Sequence, residues 1–197
     1  DKMKKIKKEQ AGRYLSPRIE IGPHFPGAGD FRVLFLNTNI YNVGIANLGW
    51  QAVVNYLLIA CPFVSVRVEY ADTIKHANLN SLDFDLIAIH IPFETTYPTA
   101  IRMLDQIGLP LFSRDRNNSF PIVIAGGVYN PFPLVDFIDV FVLGDGRLPI
   151  VELVNLCFGE RRDKQRVVEI VSKKKIKGVF IANLCNTEEQ IYASPEL

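Results

Sequence analysis

Arg32-Val-Leu-Phe-Leu-Asn37 is a short apolar run that ends abruptly in polar residues. Side chains apolar at consecutive positions suit a strand buried on both faces. Further runs of strand length follow: Ser65–Tyr70 (SVRVEY), Asp85–Ile91 (DLIAIHI), Pro121–Ala125 (PIVIA) and Asp139–Leu143 (DVFVL). Between them the period changes to that of a helix. Leu48, Ala52, Val53, Tyr56, Leu57 and Ala60 recur at helical spacing over Leu48–Cys61, and Pro62 stops that segment. Thr96–Ile107 reads as a second helix with Gly108 at its C-terminal cap, and Leu148–Phe158 and Asp163–Lys175 as two more. Gly178–Ile181 (GVFI) reads as a late extra strand.

Doubly buried strands alternating with helices require a parallel sheet covered on both sides. The expected fold is α/β: a flavodoxin-like, Rossmann-like three-layer sandwich with a five-stranded parallel sheet in the order 2-1-3-4-5. Residues 1–30 read as irregular, because Pro17, Gly22, Pro23, Pro26, Gly27 and Gly29 break any long periodic element. Residues 31–158 form the α/β domain, and residues 159–197 a C-terminal helix and connector.

Composition agrees with one globular domain: 197 residues, 48% hydrophobic and 22% charged. The balance of 22 Lys plus Arg against 21 Asp plus Glu lacks the basic excess of a general polyanion binder, so nucleic acid is not an expected partner. No apolar run approaches the ~20 residues of a membrane helix, and no membrane partner is expected. The basic start (Lys2, Lys4, Lys5, Lys7, Lys8) is followed by no long apolar segment. Cys61, Cys157 and Cys185 are odd in number and far apart, so neither a disulfide framework nor a local metal site is expected. A reducing, cytoplasmic setting follows.

In such a sheet the loops leaving the C-terminal strand ends gather at one edge, where ligands bind. Those loops hold the unusual residues: Asn37 to Trp50 after the first strand, His90 to Tyr97 after the third, Gly126-Gly127-Val-Tyr-Asn130 after the fourth, and Gly144-Asp-Gly-Arg147 after the fifth. Turns of α/β proteins use Gly and Asn in any case, so each loop alone carries little weight. There is no GxxxxGK[ST] loop, no GxGxxG after the first strand and no GxSxG elbow. His24 and His76 read as solvated, and His90, ending an apolar strand, as a packing histidine. Asp83 and Asp85 precede the third strand at the opposite edge and read as turn or cap residues, and Asp136 and Asp139 flank a short helix and its following strand. No general acid–base pair is read there.

Taken together, Asn37-Thr-Asn-Ile-Tyr41-Asn-Val-Gly44-Ile-Ala-Asn-Leu-Gly49, Ile124-Ala-Gly-Gly127 and Val142-Leu-Gly-Asp-Gly146 resemble the N-terminal cobalamin-binding-like domain of radical SAM proteins in order and spacing. The resemblance covers Pro17 to about Leu156, and Gly178-Val-Phe-Ile resembles the connector that leads on. It implies a site holding a corrinoid, with cofactor contacts at Asn39, Tyr41, Gly44, His90, Gly126, Gly127, Gly144 and Gly146. Tyr41 stands where the wider fold has a cobalt-ligating His, and a neutral phenol is a poor cobalt ligand. His90 stands where that fold has a Ser beside the nucleotide tail. Arg147 replaces an acidic residue after the fifth strand.

The resemblance further implies S-adenosylmethionine and a [4Fe–4S] cluster in a catalytic domain outside this chain, which has no CxxxCxxC of its own. This chain by itself is not expected to be catalytic. Its expected role is to present a corrinoid or substrate to a radical centre supplied by that domain or by a partner chain. Two rival classes remain: a ligand-free docking module of the same fold, and a small flavin or nucleotide binder.

Overall fold

The computed structural model describes residues 19–21, 31–127, 130–160 and 163–181. The strands are β1 (Ile19–Ile21), β2 (Phe31–Asn37), β3 (Val64–Tyr70), β4 (Leu86–His90), β5 (Ile122–Gly126), β6 (Val140–Val142) and β7 (Val179–Ile181). The helices are α1 (Tyr41–Gly44), α2 (Leu48–Ala60), α3 (Tyr97–Gln106), α4 (Arg147–Gly159) and α5 (Lys164–Lys174). They form a mixed α/β architecture around one mostly parallel sheet, ordered β1-β3-β2-β4-β5-β6-β7.

Among the described residues the sheet has seven strands, where five parallel ones and a late extra strand were expected. The central pairs β3·β2, β2·β4, β4·β5 and β5·β6 are parallel. Antiparallel β1 and β7 extend the sheet at its two edges. β1 lies in the stretch read as irregular: three residues flanked by Pro and Gly are too few to display a period. The rest of 1–30 and residues 182–197 lie outside the described residues.

Alternate strand residues build two cores. Val33, Phe35, Val66, Val68, Ala88 and Ile124 face α2, α4 and α5. Leu34, Leu36, Ile87, Ile89, Val123 and Phe141 face α3 and a set of short 3₁₀ turns. These turns, Ile74–His76, Ser81–Asp83 and Phe132–Leu134, serve the β3–β4 and β5–β6 crossovers. On α2 the buried stripe is Trp50, Val54 and Leu57, continued by Cys61, whereas Leu48 and Tyr56 are exposed. The helical period and buried Leu57 agree with the sequence, but the inward face as a whole is turned about one residue later than the expected stripe.

At the N-terminal edge of the sheet one carboxylate ties several elements together. Buried Asp139 accepts from Arg116 Nη2 at 3.0 Å, Lys164 Nζ at 2.7 Å, Val123 N at 2.8 Å and the Ser113 hydroxyl. Arg116 also donates to the carbonyls of Pro110, Leu111 and Phe137. The cluster joins the α3–β5 connection, β5, β6 and α5. Removing the carboxylate would leave two cations facing each other out of water. Asp139→Ala is expected to cost about 3–5 kcal/mol, read from urea unfolding. A loss below about 1 kcal/mol would mean that the carbonyls alone compensate the cations.

Candidate functional site

Register carries five residues across the C-terminal edge in one row. Tyr70 pairs with Asn37, Asn37 with His90, His90 with Gly126, and Gly126 with Val142. Residues paired in register share a face. This row faces α2 and α4, as Tyr70 and Val142 show by their place in that core. Between the row and the two helices lies a cavity of about 350 Å³.

The cavity is mostly apolar. Phe35, Ala88 and Ile124 floor it, Trp50 and Val53 of α2 wall one side, and Ile150 of α4 the other. Gly49, Gly126, Gly127, Gly144 and Gly146 surround it with bare backbone, and Asp145 and Arg147 supply charge. Asp145 and Arg147 form an exposed ion pair at 2.6 Å, and the Arg147 guanidinium holds the Asp145 carboxyl below its usual range.

Gly127 has φ +79°, and a Cβ there would meet His90 Nδ1 at 2.9 Å. Only glycine lets the chain pass this closely over the imidazole. Burial pushes the His90 pKa down to about 4, so the ring is neutral at physiological pH.

Three polar atoms of the row are buried without a hydrogen-bond partner: Tyr70 Oη, Asn37 Nδ2 and His90 Nε2. Such an atom costs about 1–3 kcal/mol. Burial also raises the Tyr70 pKa to about 12, with the nearby Asp72 carboxylate adding to the shift, so the phenol stays protonated.

Of the expected contact residues, the structure gathers His90, Gly126, Gly127, Gly144 and Gly146 around the cavity. Asn39, Tyr41 and Gly44 lie apart, over the end of β3. Asn39 O accepts from Ala71 N, and Tyr41 N donates to Asp72 Oδ1 at 3.0 Å. The Tyr41 ring stands edge-on to Tyr70, with centroids 5.1 Å apart. Gly44 is packed against Tyr70 so closely that a Cβ would sit 2.8 Å from its ring. Trp50 Nε1 locks this turn by donating to Gly44 O at 2.6 Å.

The sequence reading missed the apolar floor and walls, because Phe35, Ala88 and Ile124 look like any core residue until the helices are seen to stand off them. Among the described residues no group of three or more His, Cys, Asp or Glu could hold a metal ion. Burial raises the thiol pKa of both Cys61 and Cys157, the latter to about 12, which makes them inert. Cys185 lies outside the described residues. No helix among them is long and apolar enough to cross a membrane.

The depressed His90 value gives a signed pH dependence. An unfolded chain takes up the proton near pH 6.5, and the folded chain only near pH 4. The stability linked to neutral His90 is therefore complete above pH 6.5 and is lost as pH falls towards 4, by up to about 3 kcal/mol. His90→Phe is expected to flatten that limb of a urea-midpoint profile. An unchanged slope would place the titration elsewhere.

A family model described as "Radical SAM proteins, N-terminal" matches residues 72–182, more than half of the chain. The match runs from the end of β3 through β7 and includes the β4, β5 and β6 loops of the cavity. A protein of Methanocaldococcus jannaschii, named uncharacterized protein MJ0966, is 26% identical over 170 residues, which are 81% of this chain and 34% of that protein. The chain thus spans about a third of the length of this relative. No solved structure matches. The extent of the family match, over more than half of the chain and through the β4, β5 and β6 loops that border the cavity, identifies the chain as a member of the family of radical SAM protein N-terminal domains.

Proposed function

We propose that this domain holds a corrinoid for a radical SAM enzyme. The observation that carries the reading is the 350 Å³ apolar cavity between α2 and α4, bordered by glycine backbone at the C-terminal strand edge. Its volume falls within the range of about 300–1,000 Å³ usual for small-molecule sites. Its shape and lining suit the aromatic end of a nucleotide tail.

Gly126, Gly127, Gly144 and Gly146 would let that tail lie close to the main chain, and Phe35 and Ile150 would exclude water from it. The fit does not extend to cobalt coordination. Tyr41 is seated against Tyr70 and lines no part of the cavity. When bound, a corrinoid supplies a cobalt centre able to carry a transferable alkyl group. S-adenosylmethionine and a [4Fe–4S] cluster would belong to the remainder of the full protein.

One observation favours a second reading, a docking module. Ile40, Val43, Leu48, Phe93, Phe132 and Leu148 are all exposed, and all lie on loops or helix starts at this edge. A concentration of large apolar side chains of this kind suits contact with another protein surface.

Trp50 is the sole tryptophan of the sequence and lines the cavity, so its emission reports directly on occupancy. Hydroxocobalamin is expected to quench it saturably, after correction for absorbance. Cobinamide, which lacks the nucleotide, should bind roughly ten-fold more weakly. Gly126→Leu, which fills the cavity, should weaken hydroxocobalamin by a similar factor, and Tyr41→Phe should change nothing. The visible spectrum should carry no sign of histidine coordination. Equal affinity for cobinamide would empty the cavity of its assigned role. No saturable response to either corrinoid would favour the docking module.

A further inference from the structure

The hydrogen-bonding pattern of the strand ends assigns a specificity to the cavity beyond its apolar fit. Five buried side-chain polar atoms among the described residues lack a partner: those of Asn37, Tyr70, Ser81, His90 and Arg116. Three of these residues occupy adjacent positions of one register row, at the last residues of β3, β2 and β4. Tyr70 is 1% exposed and Asn37 fully buried. Folded proteins satisfy nearly all such groups, and a run of exceptions calls for a ligand, a water or a catalytic role.

We infer that Tyr70, Asn37 and His90 form a polar recognition row, which takes an amide or carboxylate oxygen borne on the apolar body that fills the cavity. The chemistry of the row sets the class of ligand. Asn37 Oδ1 already accepts from Asn39 N, so the side chain has only its Nδ2 hydrogens left to give. The Tyr70 hydroxyl is a protonated donor. The unpartnered nitrogen of neutral His90, Nε2, either donates or accepts according to the tautomer. Two donors beside an accepting Nε2 complement an amide, and three donors complement a carboxylate.

Access comes through His90, which of these three residues is the one lining the cavity, and on to Asn37 beside it. Tyr70 lies behind the Trp50 indole, whose ring packs against both Phe35 and Tyr70. Engaging the Tyr70 hydroxyl therefore displaces Trp50, and its emission changes. The loop above the row is inverted in polarity, with Ile40 and Val43 turned to solvent and the unsatisfied groups beneath. An occupant that covers the edge corrects both faults together.

This inference rests on the cavity being a ligand site. The amide oxygen has two sources, the amide arms of a corrinoid or a small aromatic amide, and the test separates them. Benzamide and ethylbenzene share an apolar body and differ in the amide. Trp50 emission is followed with each, and with hydroxocobalamin, in the wild type, Asn37→Leu, His90→Phe and Tyr70→Phe, alongside thermal midpoints.

Benzamide is expected to bind at least about five-fold more tightly than ethylbenzene, with that preference lost in Asn37→Leu and His90→Phe and reduced in Tyr70→Phe. Tyr70→Phe should raise the thermal midpoint of the free protein, because it removes a stranded hydroxyl. If benzamide behaves this way while hydroxocobalamin is silent, the row stands and the corrinoid reading falls. If hydroxocobalamin binds all four proteins equally and benzamide shows no preference, the corrinoid reading stands and the row falls. A lower midpoint for Tyr70→Phe would show its hydroxyl bonded in the resting fold and would also overturn the row.

Discussion

Burial of the central strands on both faces is the constraint from which the site follows. Leu34 and Phe35 of β2 point to opposite sides, and both are withdrawn from water. A polar side chain within such a strand has no solvent to meet, so polar atoms are confined to strand ends. Parallel pairing then collects all the C-terminal ends at one edge and all the N-terminal ends at the other. Chemistry is thereby segregated into two borders by the hydrogen-bond ladder alone.

The two borders use this polarity differently. At the N-terminal edge, Asp139 is surrounded by donors that close upon it, and Asp85 clasps the start of β2 through Arg32 N and O. Polar groups there serve as fasteners for the connections. At the C-terminal edge the chain leaves a gap between sheet and helices, lines it with glycine, and strands polar atoms beside it. Natural proteins tolerate local cost of this kind mainly at functional sites.

Much of this arrangement was legible in the residues. The apolar runs starting at Arg32, Asp85, Pro121 and Asp139 marked β2, β4, β5 and β6, because side chains apolar at every position have few other uses in a globular protein. The glycine pairs at Gly126–Gly127 and Gly144–Gly146 marked the loops that border the cavity. What escaped is equally physical. β1 is too short to carry a period and exists through its pairing with β3. The phase of α2 depends on Trp50, whose bulk and link to Gly44 O turn the helix inward at that point. Of the first-loop residues suggested by resemblance, Tyr41 and Gly44 pack on Tyr70, and the Asn39 carbonyl accepts from Ala71 N. Loop spacing identifies which strand a residue follows, but not which side of that strand the loop folds over.

The direction of β7 has a consequence for the whole protein. Because β7 runs antiparallel to β6, it starts level with the row at Val142 and ends at Ile181, level with Val140 and about 7 Å further from the cavity by the rise of a strand. The strand thus leads away from the cavity, and any body carried beyond β7 would reach the mouth only by a turn back along the sheet. About two extended residues regain the level of the row.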